Sequence, residues 1–154
     1  MAKAYLGLGA NLGEKQKHLT AAVSFLGERA GRILALSSFY ASEPWGFESG
    51  NDFLNLALAL ETSFRPLDLL CLTQEIERDL GRRRETKGIY CDRVIDIDIL
   101  LYEDLTLTLP RLILPHPLMH LRRFVLAPMV EIAPQMRHPL LKKNMQELLL
   151  AIND

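Results

Sequence analysis

The chain is poor in the features that mark most specialised protein classes. It holds only two cysteines, Cys71 and Cys91, far apart and outside any CxxC spacing. A disulfide framework is therefore not expected, and a reducing compartment fits. No stretch approaches the ~20 apolar residues of a membrane span. After Met1 a short apolar run is broken by Gly7 and Gly9 with no cleavage-like pattern behind it. A secretory leader is not expected, and the cytoplasm is the default expectation. Charge of one sign is also missing: the formal net charge is −1. No global field draws the protein to nucleic acid or to a membrane, so any anion site must be a local cluster. A P-loop, GxxxxGK[ST], occurs nowhere, and the glycines near the start fail the dinucleotide pattern because Leu12 stands where GxGxxG needs glycine. A nucleotide user of this kind would have to hold phosphate through side chains and metal.

What is there suits one α+β domain over residues 1–154. Apolar residues make up 49% and charged residues 24%, an ordinary balance for one packed core. Ala4 to Leu8 predicts a buried strand. Glu14 to Arg29 predicts a helix, with Leu19, Val23 and Leu26 on one face. Ile33 to Ala41 predicts a second strand and Phe53 to Glu61 a third. Between these two, Ser42 to Asp52 carries Pro44, Gly46 and Gly50 and reads as a long loop. A second helix starts near Pro66. Arg82 to Arg93 reads as a polar loop, Val94 to Tyr102 as a fourth strand, and Leu112 to Leu114 as an extended piece. Leu121 to Ile132 and Leu140 to Ala151 read as closing helices. The order β-α-β-β-α-β is the split βαβ, or ferredoxin-like, pattern, an antiparallel sheet with helices packed on it.

The chemistry concentrates around the fourth strand. Side chains in a strand alternate, so Asp96 and Asp98 share one face, ~7 Å apart. Ile95, Ile97, Ile99 and Leu101 are expected on the other. Neighbouring carboxylates repel, and a hard cation relieves that repulsion. Magnesium takes carboxylate oxygen together with water and substrate phosphate, which this pair can offer. The plainer reading is an edge strand with a wet face. Just upstream lie Arg82, Arg83, Arg84, Lys87 and Arg93. Guanidinium forks match phosphate oxygens, and cations beside a metal pair are what a triphosphate requires. The plainer reading there is a solvated loop, with adjacency to Asp96 against it. Arg111, Arg122 and Arg123 are available as extra charge. His116 and His120 lack a third zinc ligand in view, and His116 reads equally as a structural histidine. Trp45, Phe47, Phe53, Tyr90 and Phe124 lie in or beside the two loops, where rings could hold a flat heterocycle. Asn55, on the same strand face as Phe53, could hydrogen-bond its edge. Gly7 and Gly9 read as turn geometry and close packing rather than as ligand contacts.

Together these residues resemble the hydroxymethyl-dihydropterin pyrophosphokinase family over nearly the whole chain. The likeness rests on Gly9-Ala10-Asn11-Leu12-Gly13, Ser38-Phe39-Tyr40, Pro44-x-Gly46, the stretch from Asn51 to Asn55 and Gln74-x-x-Glu77. It continues through Gly81-Arg82-x-Arg84, Arg93-x-x-Asp96-Ile97-Asp98, Leu114-Pro115-His116, Arg123 to Pro128 and Glu131 to Pro134. The resemblance implies a ferredoxin-like core with helices on one side and two long mobile loops. It implies ATP as co-substrate and two Mg2+ ions bridging Asp96 and Asp98 to the ATP phosphates. By matching position, Gln74, Glu77, Arg84, Arg93, Ile99, Arg111 and His116 would line the ATP site. Arg82 would act in the catalytic loop, with Arg93 beside it. Ser42, Pro44, Trp45, Phe53, Asn55 and Phe124 would line the pterin slot. The family usually has a basic residue, a small residue and often Pro before the equivalent of Arg93, with a Trp nearby. Here the segment runs Lys87 to Asp92, and Tyr90 and Lys87 are the residues available for stacking and phosphate binding.

The expected partners are ATP and the hydroxymethyl-dihydropterin, without nucleic acid or membrane, and a monomer is the default state. Two rivals remain from the residues alone. A ferredoxin-like RNA-binding module would need exposed aromatics on the central strands, where this chain has aspartates. A regulatory ligand-binding domain would have no use for the aspartate pair and the arginine loop together.

Overall fold

The computed structural model describes residues 1–47, 49–81 and 94–152. Its chain order is β1 (Ala2–Ala10), α1 (Lys15–Arg29), β2 (Arg32–Leu36), β3 (Tyr40–Ser42), β4 (Phe53–Thr62), α2 (Pro66–Asp79) and β5 (Asp96–Tyr102). A small hairpin follows, β6 (Leu107–Thr108) with β7 (Ile113–Leu114). A 3-10 turn at Met119–Leu121 leads into α3 (Arg123–Ile132), and α4 (Met145–Leu150) closes the chain. The main sheet has the order β2-β4-β1-β5, with β3 also on β4, and its pairings are antiparallel. Counting β2 and β3 as one interrupted strand, this is the split βαβ arrangement. Among the described residues no helix is long and apolar enough to cross a membrane.

Alternation along the strands builds two cores. Ala4, Leu6 and Leu8 of β1, Leu56, Leu58 and Leu60 of β4, and Ile97 and Ile99 of β5 point to one face. There they meet Leu19 and Leu26 of α1 and Leu69 and Ile76 of α2. Tyr5, Ala57 and Ala59 point to the other face and meet Leu126 and Met129 of α3 and Met145 and Leu148 of α4. Helices therefore cover both faces, where the family resemblance implied one. The second cover is only partial. Along β1 the same-face series runs Tyr5, Gly7, Gly9, so apolar packing gives way to bare backbone.

Local chemistry sets the element ends. Pro66 opens α2, where its missing N–H costs nothing, and Asp68 sits in the first turn. Asn144 and Glu147 form a reciprocal capping box on α4. That box, with Pro139 and the turn after His138, starts the last helix at Met145 instead of Leu140. Gly31 ends the α1 turn against β4, and a Cβ there would lie 2.0 Å from the Glu61 carbonyl oxygen. Only glycine fits so close an approach.

Two irregularities correct the strand readings. The expected strand from Ile33 to Ala41 is broken. Leu36 faces Leu58, but Tyr40 faces Asn55, a slip of one residue. At the break the Ser37 hydroxyl accepts from the Ala57 N–H at 2.9 Å, a bond that a backbone carbonyl would otherwise take. The slip turns Tyr40 and Ser42 to the face of Asn55 and Phe53. In β5, Leu6 faces Ile99 and Tyr5 faces Leu101, leaving Leu100 as the extra residue. Leu101 consequently packs with Leu100 in the second core, not with the isoleucines.

The buried His138 makes one prediction. Its Nδ1 accepts from the N–H groups of Leu140 and Leu141 at 3.2 and 3.0 Å. Burial, and then the His120 ring beside it, holds the His138 pKa below its usual 6.5. An unfolded chain takes up this proton first as pH falls, so stability present above pH 6.5 is lost below it. In His138→Gln, whose carbonyl can still accept, the urea midpoint should fall less between pH 6.5 and 5 than in the wild type. Parallel midpoint curves for the two proteins would show that His138 does not carry this dependence.

Candidate functional site

The uncovered part of the second face is a cavity of about 550 Å³. Sheet order lays out its contents. Phe53 and Asn55 come from β4 and Ser42 from β3. Gly7 and Gly9 follow on β1, and Asp96 and Asp98 on β5. Gln74 and Leu70 of α2, with Arg111 and His116 from the segments flanking β7, close the far end. The register explains the alignment. Gly9 lies between Asn55 and Asp96, and Gly7 lies between Ala57 and Asp98. With strands ~4.8 Å apart, Asn55 and Asp96 stand about 10 Å apart over a floor with no side chain.

One end is aromatic. The rings of Phe47 and Phe53 meet edge to face at 6.2 Å. The Arg122 guanidinium lies 4.5 Å from the Trp45 ring centre and 5.6 Å from that of Phe124. Such a stack holds a cation at the aromatic end of the cavity. Asn55 is 4% exposed. Its amide nitrogen donates to the Tyr40 carbonyl at 3.1 Å and the Ser42 hydroxyl at 2.8 Å. The side-chain oxygen is thereby turned toward Gly9, where a Cβ would come within 3.0 Å of it. The slot accordingly offers an acceptor to a ligand that donates from its edge.

The other end is mixed in charge. Asp96 and Asp98 are half-buried and line the cavity. Among the described residues no group of three or more His, Cys, Asp or Glu side chains is placed to hold a metal. Two carboxylates beside open space suit magnesium, which keeps water and takes phosphate oxygens, better than a metal needing a full protein cage. Between these aspartates, the Ile97 N–H donates to Glu77 Oε2 at 2.7 Å, fixing β5 to α2. Arg111 reaches the Cys71 sulfur at 3.3 Å. The N–H of Leu118 donates to His116 Nδ1 at 3.2 Å, so a neutral His116 carries its proton on Nε2.

Of the expected site residues, Ser42, Trp45, Phe53, Asn55, Gln74, Asp96, Asp98, Arg111, His116 and Phe124 line this one cavity. Pro44 lies between two lining residues without lining it. Glu77 is 3% exposed and faces the β5 backbone, and Ile99 belongs to the opposite core. Their side chains are thus turned away from this cavity. Arg82, Arg84, Lys87, Tyr90 and Arg93 lie outside the described residues. Gly7 and Gly9 stand in mid-strand, so the turn reading for them is corrected. Arg122 has a defined place that composition could not assign. Reading same-face residues of three paired strands together would have found the glycine floor.

Residues 5–134 match the model of a family described as 7,8-dihydro-6-hydroxymethylpterin-pyrophosphokinase (HPPK). A Porphyromonas gingivalis protein named 2-amino-4-hydroxy-6-hydroxymethyldihydropteridine pyrophosphokinase is 50% identical over 141 residues, covering 90% of this chain and 95% of that one. A Bacillus subtilis protein of the same name is 43% identical over 133 residues, covering 86% and 78%. Among solved structures, a Plasmodium falciparum HPPK-DHPS triple mutant superposes with a TM-score of 0.80 at 17% identity, which speaks to fold alone. That match covers 97% of this chain and 44% of the solved one, so the chain spans less than half of the HPPK-DHPS protein.

Proposed function

This chain belongs to the 7,8-dihydro-6-hydroxymethylpterin-pyrophosphokinase family, and from that premise we propose that its cavity binds both substrates side by side along the sheet. The enzyme transfers pyrophosphate from ATP to 6-hydroxymethyl-7,8-dihydropterin, giving AMP and the pterin diphosphate, in folate biosynthesis. The observation that carries the placement is the glycine floor joining an aromatic slot to a carboxylate pair.

In this reading the pterin lies between Phe53 and Phe124, with Asn55 Oδ1 accepting from its amino edge. Ser42 and Trp45 border the slot with Pro44 between them in the chain, and Tyr90 is the residue available for stacking. The hydroxymethyl arm passes over Gly9 toward Asp96 and Asp98. Gln74, Arg111 and His116 hold the nucleotide end, His116 as a donor through Nε2. Arg84 and Arg93 bind phosphate, and Arg82 acts on the charge that develops in the transition state. Asp96 and Asp98 would hold two magnesium ions, which when bound neutralise phosphate charge and polarise the phosphoryl oxygens.

The pterin hydroxyl oxygen bonds to the β-phosphorus, and the bond from that phosphorus to the oxygen bridging to the α-phosphate breaks. AMP leaves with the electron pair, and the hydroxyl proton passes to solvent. The protein's part is to align donor and acceptor and to shield them from water. In this reading the enzyme is a monomer of one domain over residues 1–154. A cytoplasmic enzyme without nucleic-acid or membrane partners completes the proposal.

The test is product analysis with ATP and magnesium, with and without the pterin. AMP and pterin diphosphate should form in equal amounts, and only when both substrates are present. AMP released at the same rate without pterin, or ADP as the product, would overturn the reading.

A further inference from the structure

Glu131 lies on α3, far from the carboxylate pair in sequence and outside the cavity lining, yet it gathers three donors from one short stretch. Its Oε1 accepts from the Tyr40 hydroxyl at 2.7 Å and the Ser38 N–H at 2.9 Å. Its Oε2 accepts from the Ser38 hydroxyl at 3.1 Å. The bonds lower the Glu131 pKa, Tyr40 first and the Ser38 backbone next, and the same contact raises that of Tyr40. The carboxylate is thus held ionised where it binds, and Tyr40 is held as the donor.

These bonds tie together the two walls of the aromatic slot. Phe124 stands in the first turn of α3, the helix that carries Glu131. Tyr40 and Ser42 belong to β3, and they are the two partners that fix the Asn55 amide. β3 is only three residues long and is cut off from β2 by the one-residue slip. Three residues of pairing on an edge hold position weakly on their own. We propose that Glu131 and Tyr40 form a clamp that sets the spacing of the slot walls and the direction of the Asn55 amide. They are positioning residues for the pterin. This rests on the placement of the pterin against Asn55 and Phe124.

If β3 drifts, the Asn55 amide loses both acceptors and can rotate, presenting N–H where the pterin needs an oxygen. Tyr40 and Glu131 are not among the described residues that line the cavity at its nucleotide end. The consequence is selective: pterin binding suffers and ATP binding does not. Because the bonds are exposed to water, the loss is moderate, about five- to tenfold in pterin KM.

The experiment measures kcat and both KM values for Glu131→Ala, Tyr40→Phe, their double variant, Glu131→Gln and Asn55→Ala, with melting curves for each. Glu131→Ala and Tyr40→Phe should each raise pterin KM by about that factor, leaving ATP KM and kcat within about twofold. The double variant should be no worse than the weaker single, since both remove one link. Glu131→Gln keeps an acceptor for Tyr40 and should recover most of the affinity. An unchanged pterin KM in Glu131→Ala, or equal rises in both KM values, overturns the clamp. Asn55→Ala with unchanged pterin KM would instead overturn the underlying slot placement, and the clamp with it.

Discussion

Asp96→Ala and Asp98→Ala are each expected to cut turnover about a thousandfold, near 4 kcal/mol of transition-state stabilisation, while the protein stays folded. The activity loss follows from position. The two side chains share one face of β5 and open into the cavity across Gly7 and Gly9 from the aromatic slot. Among the described residues no third carboxylate or histidine joins them to form a metal-binding group, so among those residues loss of one would leave a single carboxylate for magnesium. The stability claim follows from burial. Both aspartates are half-buried, whereas Ile95, Ile97 and Ile99 are 3% exposed or less and anchor the strand from the other face. The Ile97 N–H remains held by Glu77. The change in unfolding free energy should stay within about 1 kcal/mol. Steady-state AMP formation at saturating substrates and magnesium, with urea unfolding of the same samples, decides both halves. Turnover at the wild-type level in either variant would remove the metal role from that residue.

The fold was legible where period and composition agree. The alternation of Ile95, Ile97 and Ile99 with Asp96 and Asp98 marked a strand with one wet face, and the structure keeps that face. The βαββαβ order followed from apolar runs and helical spacing, and the sheet order bears it out. The irregularities were not legible. The slip at Ser37 depends on a hydroxyl taking the place of a carbonyl, and the extra Leu100 depends on how β1 pairs with β5. Both are properties of paired strands, and a single strand's pattern does not contain them. The direction that Glu77 takes was not legible for a related reason. Three residues along a helix bring Gln74 and Glu77 to neighbouring positions, yet Gln74 reaches the cavity and Glu77 turns to the edge of β5. The glycines were read as turn geometry and close packing, and only the packing part holds. Their role here is to be absent from a surface, which shows only once β4 and β5 stand on either side.

That absence gives the second large effect. In Gly9→Val, pterin affinity should fall at least about a hundredfold, near 2.7 kcal/mol, with ATP affinity within about threefold of wild type. A Cβ at this position would lie 3.0 Å from Asn55 Oδ1 and 3.6 Å from the Phe53 ring. The Asn55 amide cannot simply swing aside, because its nitrogen is bound to Tyr40 and Ser42. Valine therefore does two things. It pushes the acceptor oxygen off its line, and its methyl groups fill the floor that the pterin would cross. Gly9→Ala adds one carbon and should fall between the two, about tenfold. Stability should change little, since the variant gains strand preference and loses unfolded-state entropy while straining one contact. Gly7→Ala serves as the contrast. Its Cβ would have its nearest contacts with the side chain of Leu100, at 3.3 Å, and a flexible apolar group can yield there. Its pterin affinity should stay within about threefold of wild type. Calorimetric titration of pterin and of a non-hydrolysable ATP analogue into the three variants reads these differences directly. If Gly9→Val binds pterin like the wild type, the ring does not lie over β1, and the slot must be placed elsewhere on the sheet.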